Sequence, residues 1–303
     1  MVDAITQQSN TINYDKTGLV SKILTFSCVD GPGNRLVIFL QGCNYDCITC
    51  HNPHTINHCD HCGDCVEPCP TGALAFNDSP NRKVIWNEAL CTQCDKCIDV
   101  CPSKSNPKIT TYSVEKLLEF TKKHAPFLSG VTISGGEATL QLPFIIEYFK
   151  AIKSEESLGH LTCFIDSNGS LSEQGWNKVL PYLDGTMIDL KAWQNDTHLW
   201  LVGRENHRVL HSINLLAQYG KLHEVRLLYI PNKTDLLSEI DAVSEYLKTL
   251  PEHVTIRLNA FQHHGVIGEA LAWDKCSKVQ MEEFEAKLIT KLGRPVITPS
   301  VYT

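Results

Sequence analysis

The chain has 303 residues, of which 43% are hydrophobic and 20% are charged. It is therefore long enough for one large domain, or for one domain with an added module. Its 27 Lys and Arg residues are outnumbered by 34 Asp and Glu residues, so it lacks the basic surplus that nucleic-acid binding requires.

In chain order, residues 1–16 form a polar extension without the apolar segment of a secretory signal. The purest apolar run, Leu36–Leu40, is far shorter than the roughly 18 residues of a membrane span. We therefore expect a cytoplasmic protein without a membrane partner. The same run belongs to the first predicted strand, Arg35–Leu40, which follows a tight turn at Asp30–Gly33.

From about residue 112 onward, strand-like and helical patterns alternate. The strand-like runs are Val131–Ser134, Thr162–Asp166, Thr186–Leu190, Val225–Ile230 and Val254–Leu258. The segments between and after them carry apolar residues at spacings of three and four, which is the stripe of an amphipathic helix. These stripes are Val114, Leu117 and Leu118; Val209, Ile213 and Leu216; Ile240, Val243 and Leu247; and Phe284, Leu288 and Leu292. Gly220 and Gly293 suit the ends of two of these helices.

This alternation predicts an α/β protein with a parallel sheet and right-handed crossovers. About six βα units fit, fewer than the eight of a closed barrel. The pattern alone does not separate a partial barrel from a doubly wound sheet. Either architecture places the chemistry at the carboxyl ends of the strands.

Cysteine usage departs most from ordinary composition, because eleven of the fourteen cysteines lie between Cys43 and Cys101. A secreted disulfide scaffold would be short and crosslinked throughout. Thiols packed this densely in a reducing compartment usually hold metal. The dense block interrupts the βα pattern after the first strand, so we predict an inserted module at residues 55–108.

The insert contains two copies of the pattern Cys-x2-Cys-x2-Cys-x3-Cys-Pro, the bacterial ferredoxin spacing for 4Fe–4S clusters. In that arrangement the fourth cysteine of each copy binds the other cluster. The predicted ligand sets are Cys59, Cys62, Cys65 and Cys101 for one cluster, and Cys91, Cys94, Cys97 and Cys69 for the other. Zinc is the weaker alternative, because it prefers paired Cys-x2-Cys knuckles.

The first cysteine group, Cys43-x3-Cys47-x2-Cys50, supplies three thiolates without a fourth cysteine nearby. A 4Fe–4S cube with three protein ligands leaves one iron open, as a catalytic zinc site leaves one position for its substrate. A partial zinc site or unpaired structural thiols are the alternatives. The remaining cysteines, Cys28, Cys163 and Cys276, are predicted to be buried as small hydrophobes.

The first cysteine group, placed after a strand, resembles the signature of the radical S-adenosylmethionine (SAM) superfamily, in which SAM chelates the open iron. Further motifs resemble the glycyl radical enzyme activating enzymes, the pyruvate formate-lyase activase group. These motifs are Asp30-Gly-Pro-Gly-x-Arg35, Gln41-Gly-Cys43, Cys50-His-Asn-Pro53, Ser134-Gly-Gly-Glu137, Asp166-Ser-Asn-Gly169, Asp189-Leu-Lys191 and Leu201-Val-Gly203. The two-cluster insert resembles the subgroup with a ferredoxin-like domain, and the YjjW-type activases within it.

The resemblance implies a partial (β/α)6 TIM-type barrel built from residues 17–54 and 109–303. A ferredoxin-like domain with two 4Fe–4S clusters would be inserted at residues 55–108, and residues 1–16 would stand outside both. Three 4Fe–4S clusters and SAM are the implied cofactors.

The implied activity is that of a radical SAM oxidoreductase. The cluster on Cys43, Cys47 and Cys50 reduces SAM to methionine and a 5′-deoxyadenosyl radical, which abstracts the α-hydrogen of a glycine on a partner glycyl radical enzyme. A flavodoxin- or ferredoxin-type reductant supplies the electron. The alternatives are another radical SAM enzyme, such as a peptide-modifying one, and a multi-cluster electron-transfer protein.

The resemblance also assigns SAM contacts. Gly135, Gly136 and Glu137 match residues that bind the SAM amino group. Lys191 matches a residue that favours the SAM carboxylate or ribose, and Arg226 is a further candidate partner of the carboxylate. Each also has a structural interpretation: a turn for the two glycines, a surface position for Lys191 and an ordinary salt bridge for Arg226.

Asp166 and Asp189 match a pair that, with neighbouring backbone groups here matched by Ser167 and Met187, holds a monovalent cation beside the SAM carboxylate. A helix N-cap is the alternative role for such strand-end aspartates. Thr49 and His51 are expected near the adenine, although the family usually has an aromatic residue at the position of Thr49.

The last departure from the family pattern lies near the final predicted strand. Gln262 stands where the family has a ribose-binding histidine, and its side chain can still bond a hydroxyl group. His263 or His264 could replace it if the register shifts.

Overall fold

The computed structural model describes residues 11–298, so the first ten residues of the predicted N-terminal extension lie outside the described range. Ten strands and eight helices lie within it. The strands are β1 (Thr17–Leu24), β2 (Arg35–Leu40), β3 (Leu74–Phe76), β4 (Val84–Trp86), β5 (Thr110–Ser113), β6 (Gly130–Gly135), β7 (Thr162–Ser167), β8 (Gly185–Leu190), β9 (Leu222–Tyr229) and β10 (Thr255–Ala260). The helices are α1 (Lys96–Asp99), α2 (Val114–His124), α3 (Leu142–Ser154), α4 (Glu173–Val179), α5 (Asn195–Val202), α6 (His207–Gln218), α7 (Ile240–Lys248) and α8 (Lys278–Leu292).

One sheet of eight strands organises the molecule, in the order β10-β9-β8-β7-β6-β2-β1-β5. Six neighbouring strands of this sheet pair in parallel: β10, β9, β8, β7, β6 and β2. Each of the six strand-like runs in the sequence forms one of them. The predicted α/β class with a mostly parallel sheet is therefore confirmed.

Two strands of this sheet were not predicted. β1 pairs antiparallel with both β2 and β5. The β5 segment, Thr-Thr-Tyr-Ser, has no apolar alternation, and about 90 residues of chain separate it from β1. It is a strand because β1 offers an open edge, which is a contact that no local pattern reveals.

The predicted helical stripes are buried in α2, α6, α7 and α8, where they pack in one core with the inner residues of the strands. Gly220 and Gly293 follow α6 and α8 with φ of +65° and +74°, as expected for helix ends. No helix in the stretch 11–298 has the length and apolar character that crossing a bilayer requires.

The three isolated cysteines differ in burial. Cys163 and Cys276 are buried, as predicted. Cys28 is exposed, so the prediction of a buried small hydrophobe is wrong there. It lies in the loop between β1 and β2.

Residues between β2 and β5 form a smaller structure with its own apolar centre. β3 and β4 make a two-stranded antiparallel sheet, and α1 follows it. Cys65, Leu74, Val84 and Cys97 are the buried residues of this centre, which is separate from the main core.

Arg35 ties the amino-terminal halves of three parallel strands together. Its side chain is fully buried. The guanidinium donates to Thr132 Oγ1 at 2.6 Å, to Val131 O at 2.6 Å and to Thr162 O at 3.0 Å. It also lies 4.3 Å from the centre of the Phe164 ring. Burial lowers the pKa of Arg35 to about 10, so it stays charged at neutral pH.

We expect Arg35→Met to lower the free energy of unfolding by about 3 kcal/mol, because it leaves buried acceptors without donors. Arg35→Lys should lower it nearly as much, since an ammonium group does not span the same acceptors. Urea denaturation followed by circular dichroism measures both changes. The exposed Arg208→Met is the control and should change the free energy by less than about 0.5 kcal/mol; equal losses in all three variants would contradict the assigned role.

Candidate functional site

The loop after β2 is held by backbone and side-chain hydrogen bonds on both sides. Gln41 Nε2 donates to His54 O at 2.9 Å and to Asn57 O at 2.6 Å. Cys43 N donates to Ile56 O at 3.1 Å. Farther along, Ile48 N donates to Leu201 O at 2.9 Å, at the end of α5. The first cysteine group is therefore held between the end of α5 on one side and residues 54–57 on the other.

Cys43, Cys47 and Cys50 line one cavity of about 510 Å³ at the carboxyl edge of the sheet. Their thiols are free. Burial raises the pKa of Cys43 to about 11 and that of Cys47 to about 12, while the charge of Lys191 opposes both shifts. Three free, half-buried cysteines that line one cavity with a lysine fit a 4Fe–4S cluster whose fourth iron is open.

Gly135 and Gly136, at the end of β6, also line this cavity. Gly135 has φ +129°, and a Cβ there would lie 2.2 Å from Leu40 O. A Cβ on Gly136 would lie 2.4 Å from Gly42 O. Both glycines are therefore needed for the close approach of two backbones, and the same lack of side chains leaves their backbone open to a ligand.

Glu137, which is predicted to bind the SAM amino group, is not among the residues that line the cavity. It is 1% exposed. Its carboxylate accepts hydrogen bonds from Asn168 N at 2.8 Å, Ser167 Oγ at 2.9 Å and Thr139 N at 3.0 Å. Burial raises the pKa of Glu137 and these donors oppose the rise. Its carboxylate thus joins the loops after β6 and β7 and positions Ser167 and Asn168 at the cavity wall.

Asp166 and Asp189, at the ends of β7 and β8, both line the cavity as predicted. Asp166 Oδ1 lies 3.2 Å from Arg226 Nη1, and Asp189 Oδ2 lies 2.8 Å from Lys191 Nζ. Arg226 Nη2 also lies 3.0 Å from Met187 Sδ. Each predicted cation-binding carboxylate therefore has a basic side chain as its partner.

The charges in this group determine its protonation. Burial raises the pKa of Asp166 to about 6, against the opposing charge of Arg226. Burial also acts to raise the pKa of Asp189, but Lys191 and Arg226 outweigh it and hold that pKa below the usual range. For Lys191, burial alone would lower the pKa, and the charges of Asp189 and Cys47 raise it instead. At neutral pH the group presents two cations and two carboxylates.

The residues predicted near the adenine and ribose, Thr49, His51 and Gln262, all line the cavity. Gln262 Nε2 donates to Cys276 O at 3.0 Å. His263 is bonded instead to Trp273 O at 2.8 Å, and neither His263 nor His264 lines the cavity. Of the three candidates for the ribose contact, only Gln262 therefore lines the cavity.

Sequence reasoning missed some cavity residues, among them Tyr45 and Asn259. Tyr45 is 3% exposed and packs edge-on against His198. Its position between Cys43 and Cys47 in the sequence could have indicated that it lies near the cavity. Asn259 precedes the last residue of β10, and strand ends at the carboxyl edge are where such residues belong.

A second cavity lies in the segment between β2 and β5, and Lys108 and Trp86 contribute to its lining. The cysteines around it are Cys69, Cys91, Cys94 and Cys97. Cys69, the fourth cysteine of the first copy, therefore lies beside the first three cysteines of the second copy. The exchange of fourth cysteines between the two copies stays a prediction.

The three cysteine loops share one local hydrogen bond. In each, the amide two residues after the first cysteine donates to its sulfur: Tyr45 N to Cys43 Sγ, His61 N to Cys59 Sγ and Gln93 N to Cys91 Sγ, all at 3.4 Å. Amide donors to cluster sulfurs are one of the ways in which proteins adjust reduction potentials. All three loops therefore have a backbone suited to an iron–sulfur cluster.

Comparison with solved structures supports the fold alone. QueE from Escherichia coli aligns with a TM-score of 0.52 at 13% identity, covering 97% of this chain and 100% of that one. SuiB from Streptococcus suis, bound to its precursor peptide SuiA, aligns with a TM-score of 0.51 at 12% identity, covering 88% of this chain and 48% of that one.

Sequence comparison identifies the family. The model of the 4Fe-4S single cluster domain matches residues 29–210, more than half of the chain. Relatives include the isethionate sulfite-lyase activating enzyme of Desulfovibrio desulfuricans, 26% identical over 82% of this chain and 84% of that protein. The pyruvate formate-lyase-activating enzyme of Streptococcus mutans is 28% identical over 79% of this chain and 76% of that protein. The chain belongs to the 4Fe-4S single cluster domain family and is a relative of the glycyl radical enzyme activating enzymes, which are radical SAM enzymes.

Proposed function

We propose that this protein is a radical SAM activase that generates the glycyl radical of a partner enzyme. The observation that carries the proposal is the cavity at the carboxyl edge of the sheet. It brings Cys43, Cys47 and Cys50 together with the backbone of Gly135 and Gly136 and with a group of basic and acidic side chains. This combination suits a cluster with one open iron and a zwitterionic ligand beside it.

A 4Fe–4S cluster held by Cys43, Cys47 and Cys50, with SAM beside it, would supply the radical chemistry: reductive cleavage of SAM that leads to removal of the α-hydrogen of a glycine on the partner. The chain's own residues bind and orient. Lys191 and Arg226 attract the SAM carboxylate, Gly135 and Gly136 admit its amino group, and Thr49, His51 and Gln262 bound the adenosine. Glu137 positions the loops that carry these contacts.

The same proposal includes the type of barrel and the nature of the segment at residues 55–108. We take the six parallel strands with their helices as a partial (β/α)6 barrel and residues 55–108 as a ferredoxin-like domain with two further 4Fe–4S clusters. The separate apolar centre of that segment and the position of Cys69 beside Cys91, Cys94 and Cys97 support this. The insert would receive electrons from a flavodoxin- or ferredoxin-type reductant in the cytoplasm, where fourteen free thiols are stable.

For the SAM carboxylate we propose the fixed cations Arg226 and Lys191 as partners. The monovalent cation implied by the resemblance, held by Asp166, Asp189 and backbone groups of Ser167 and Met187, is the alternative. The fixed cations are favoured because each carboxylate already has a basic partner within 3.2 Å.

The two other functions are less well supported. A pure electron-transfer protein has no use for a cavity of about 510 Å³ lined by Lys191 and Arg226. Peptide-modifying radical SAM enzymes usually carry auxiliary clusters toward the C-terminus, whereas the additional cysteines here follow β2.

Anaerobic reconstitution tests the cluster and its chemistry together. We expect about twelve irons per chain, and 5′-deoxyadenosine after addition of dithionite and SAM. Cys47→Ala should retain about eight irons and form no 5′-deoxyadenosine, because it removes a ligand of the SAM cluster. The exposed Cys28→Ala is the matched control and should behave as wild type. Absence of a glycyl EPR doublet on a purified glycyl radical enzyme partner, despite SAM cleavage, would count against the activase role.

Arg226→Gln should weaken SAM binding about tenfold, because it removes a charge-assisted partner of the carboxylate. Arg257→Gln is the matched control: Arg257 also pairs with Glu224, at 2.9 Å, but does not line the cavity. Equilibrium binding of SAM to the reconstituted protein measures both. Equal SAM affinities in the two variants would contradict the assignment. If the SAM affinity of the wild type rises tenfold when potassium replaces N-methylglucamine in the buffer, the monovalent-cation alternative is supported instead.

Cys62→Ala tests whether the insert passes electrons to the site. With a flavodoxin as donor we expect radical formation to slow at least tenfold while SAM affinity is unchanged, since Cys62 lies in the insert and does not line the SAM cavity. Iron analysis should show about eight irons per chain. If all iron is lost, the insert is structural, and if the rate is unchanged, the electron bypasses it.

A further inference from the structure

The two cysteine copies of the insert have matching backbones. The residue two positions after the first cysteine has a left-handed conformation in both, with φ of +60° at His61 and +56° at Gln93. The residue four positions after it does so as well, with φ of +95° at Gly63 and +59° at Asp95. The repeat in the sequence is therefore a repeat in three dimensions, and equivalent positions can be compared.

The same equivalence holds after the fourth cysteine of each copy. Phe76 lies seven residues after Cys69, and Lys108 lies seven residues after Cys101. Phe76 packs against Gly63, where an added Cβ would lie 2.1 Å from its ring. Lys108 instead forms an ion pair with Asp95. The closing side chain is thus apolar in the first copy, where the guanidinium of the exposed Arg82 lies 3.6 Å from the centre of the Phe76 ring, and is itself a cation in the second.

The lysine is buried beside the second ligand set. Its side chain is 10% exposed, whereas that of Asp95 is 58% exposed. Lys108 Nζ also donates to Gln93 Oε1 at 3.1 Å. It lines the same cavity as Cys69, Cys91, Cys94 and Cys97. Lys108 therefore shares a cavity wall with these thiols, and water screens its carboxylate partner more than the lysine itself.

The two loops also differ in formal charge. Residues 59–69 contain Asp60, Asp64 and Glu67 but no Lys or Arg. Residues 91–101 contain two carboxylates and one lysine, and Lys108 adds a second positive charge next to them. A positive charge near a cluster stabilises its reduced form, which carries one more electron, and negative charges oppose reduction.

We propose that Lys108 makes the cluster on Cys69, Cys91, Cys94 and Cys97 the more easily reduced of the two clusters in the insert. This inference rests on the two-cluster insert of the proposed function. It implies that an electron entering the insert reduces this second cluster first. The cluster on Cys59, Cys62, Cys65 and Cys101, which has the acidic loop, has the lower reduction potential.

An anaerobic redox titration of the reconstituted full-length protein, followed by EPR, tests the proposal. The SAM cluster is identified by its change on adding SAM, and the two SAM-insensitive signals belong to the insert. We expect two midpoints, the higher of which disappears in Cys94→Ala. Lys108→Gln should lower that higher midpoint, so that the ratio of reduced to oxidised cluster at the wild-type midpoint falls about tenfold, or 59 mV for a one-electron couple.

Two further variants serve as controls. Lys108→Arg keeps the charge and should leave the ratio within about threefold of wild type. Lys83→Gln removes an exposed lysine of the same insert that does not line the cavity and should have no effect. An unchanged higher midpoint in Lys108→Gln, or an equal shift in Lys83→Gln, overturns the proposal.

Iron content separates charge from structure. If Lys108→Gln loses about four irons and Lys108→Arg does too, the role of Lys108 is only to hold the loop, and the proposal fails. If Lys108→Arg retains all iron and the wild-type midpoint, the need for positive charge is supported. Formation of 5′-deoxyadenosine is measured separately, so a failure of the proposed function is distinguishable from a failure of this inference.

Discussion

The parallel pairing of β2 with β6 is the constraint on which the site depends. Their register places Leu40 opposite Gly135. The chain continues from these residues into the first cysteine group and into the second glycine, so both segments start at the same level of the sheet. Gly136 N donates to Leu40 O at 3.1 Å and Glu137 N to Gly42 O at 2.8 Å, which extends the pairing beyond the strands. The cysteines and the glycine backbone therefore face one cavity.

Buried charge is arranged around that cavity by the neighbouring strands. Glu224, on β9, is 3% exposed and bonds both Arg226 and Arg257. Arg226 in turn reaches Asp166 on β7. Removing one member of such a network leaves an unpaired charge in a desolvated place, which is costly. The same network holds Arg226 at the wall of the cavity.

The insert has a different basis for its stability. Its apolar centre has only four buried residues, and two of them are Cys65 and Cys97. A segment of this size cannot bury enough apolar surface to stabilise itself well. Metal ligation supplies folding free energy in small domains of this kind. The clusters proposed for this segment would therefore link its folding to metal binding. The ion pair of Lys108 with Asp95 holds one of its loops in a left-handed conformation.

Local patterns in the sequence were sufficient for the six parallel strands, for the helical stripes and for the three cysteine groups. Each depends on residues within a few positions of one another: the period of a helix, an apolar run, or the spacing of three thiolates in one loop. The position of Asp166 and Asp189 at one edge also followed, because parallel strands end together. The tertiary structure alone decided β1 and β5, the burial of Glu137, the exposure of Cys28 and the pairing of Arg226. These features depend on which distant segments meet in the folded chain, and a local sequence pattern carries no information about that.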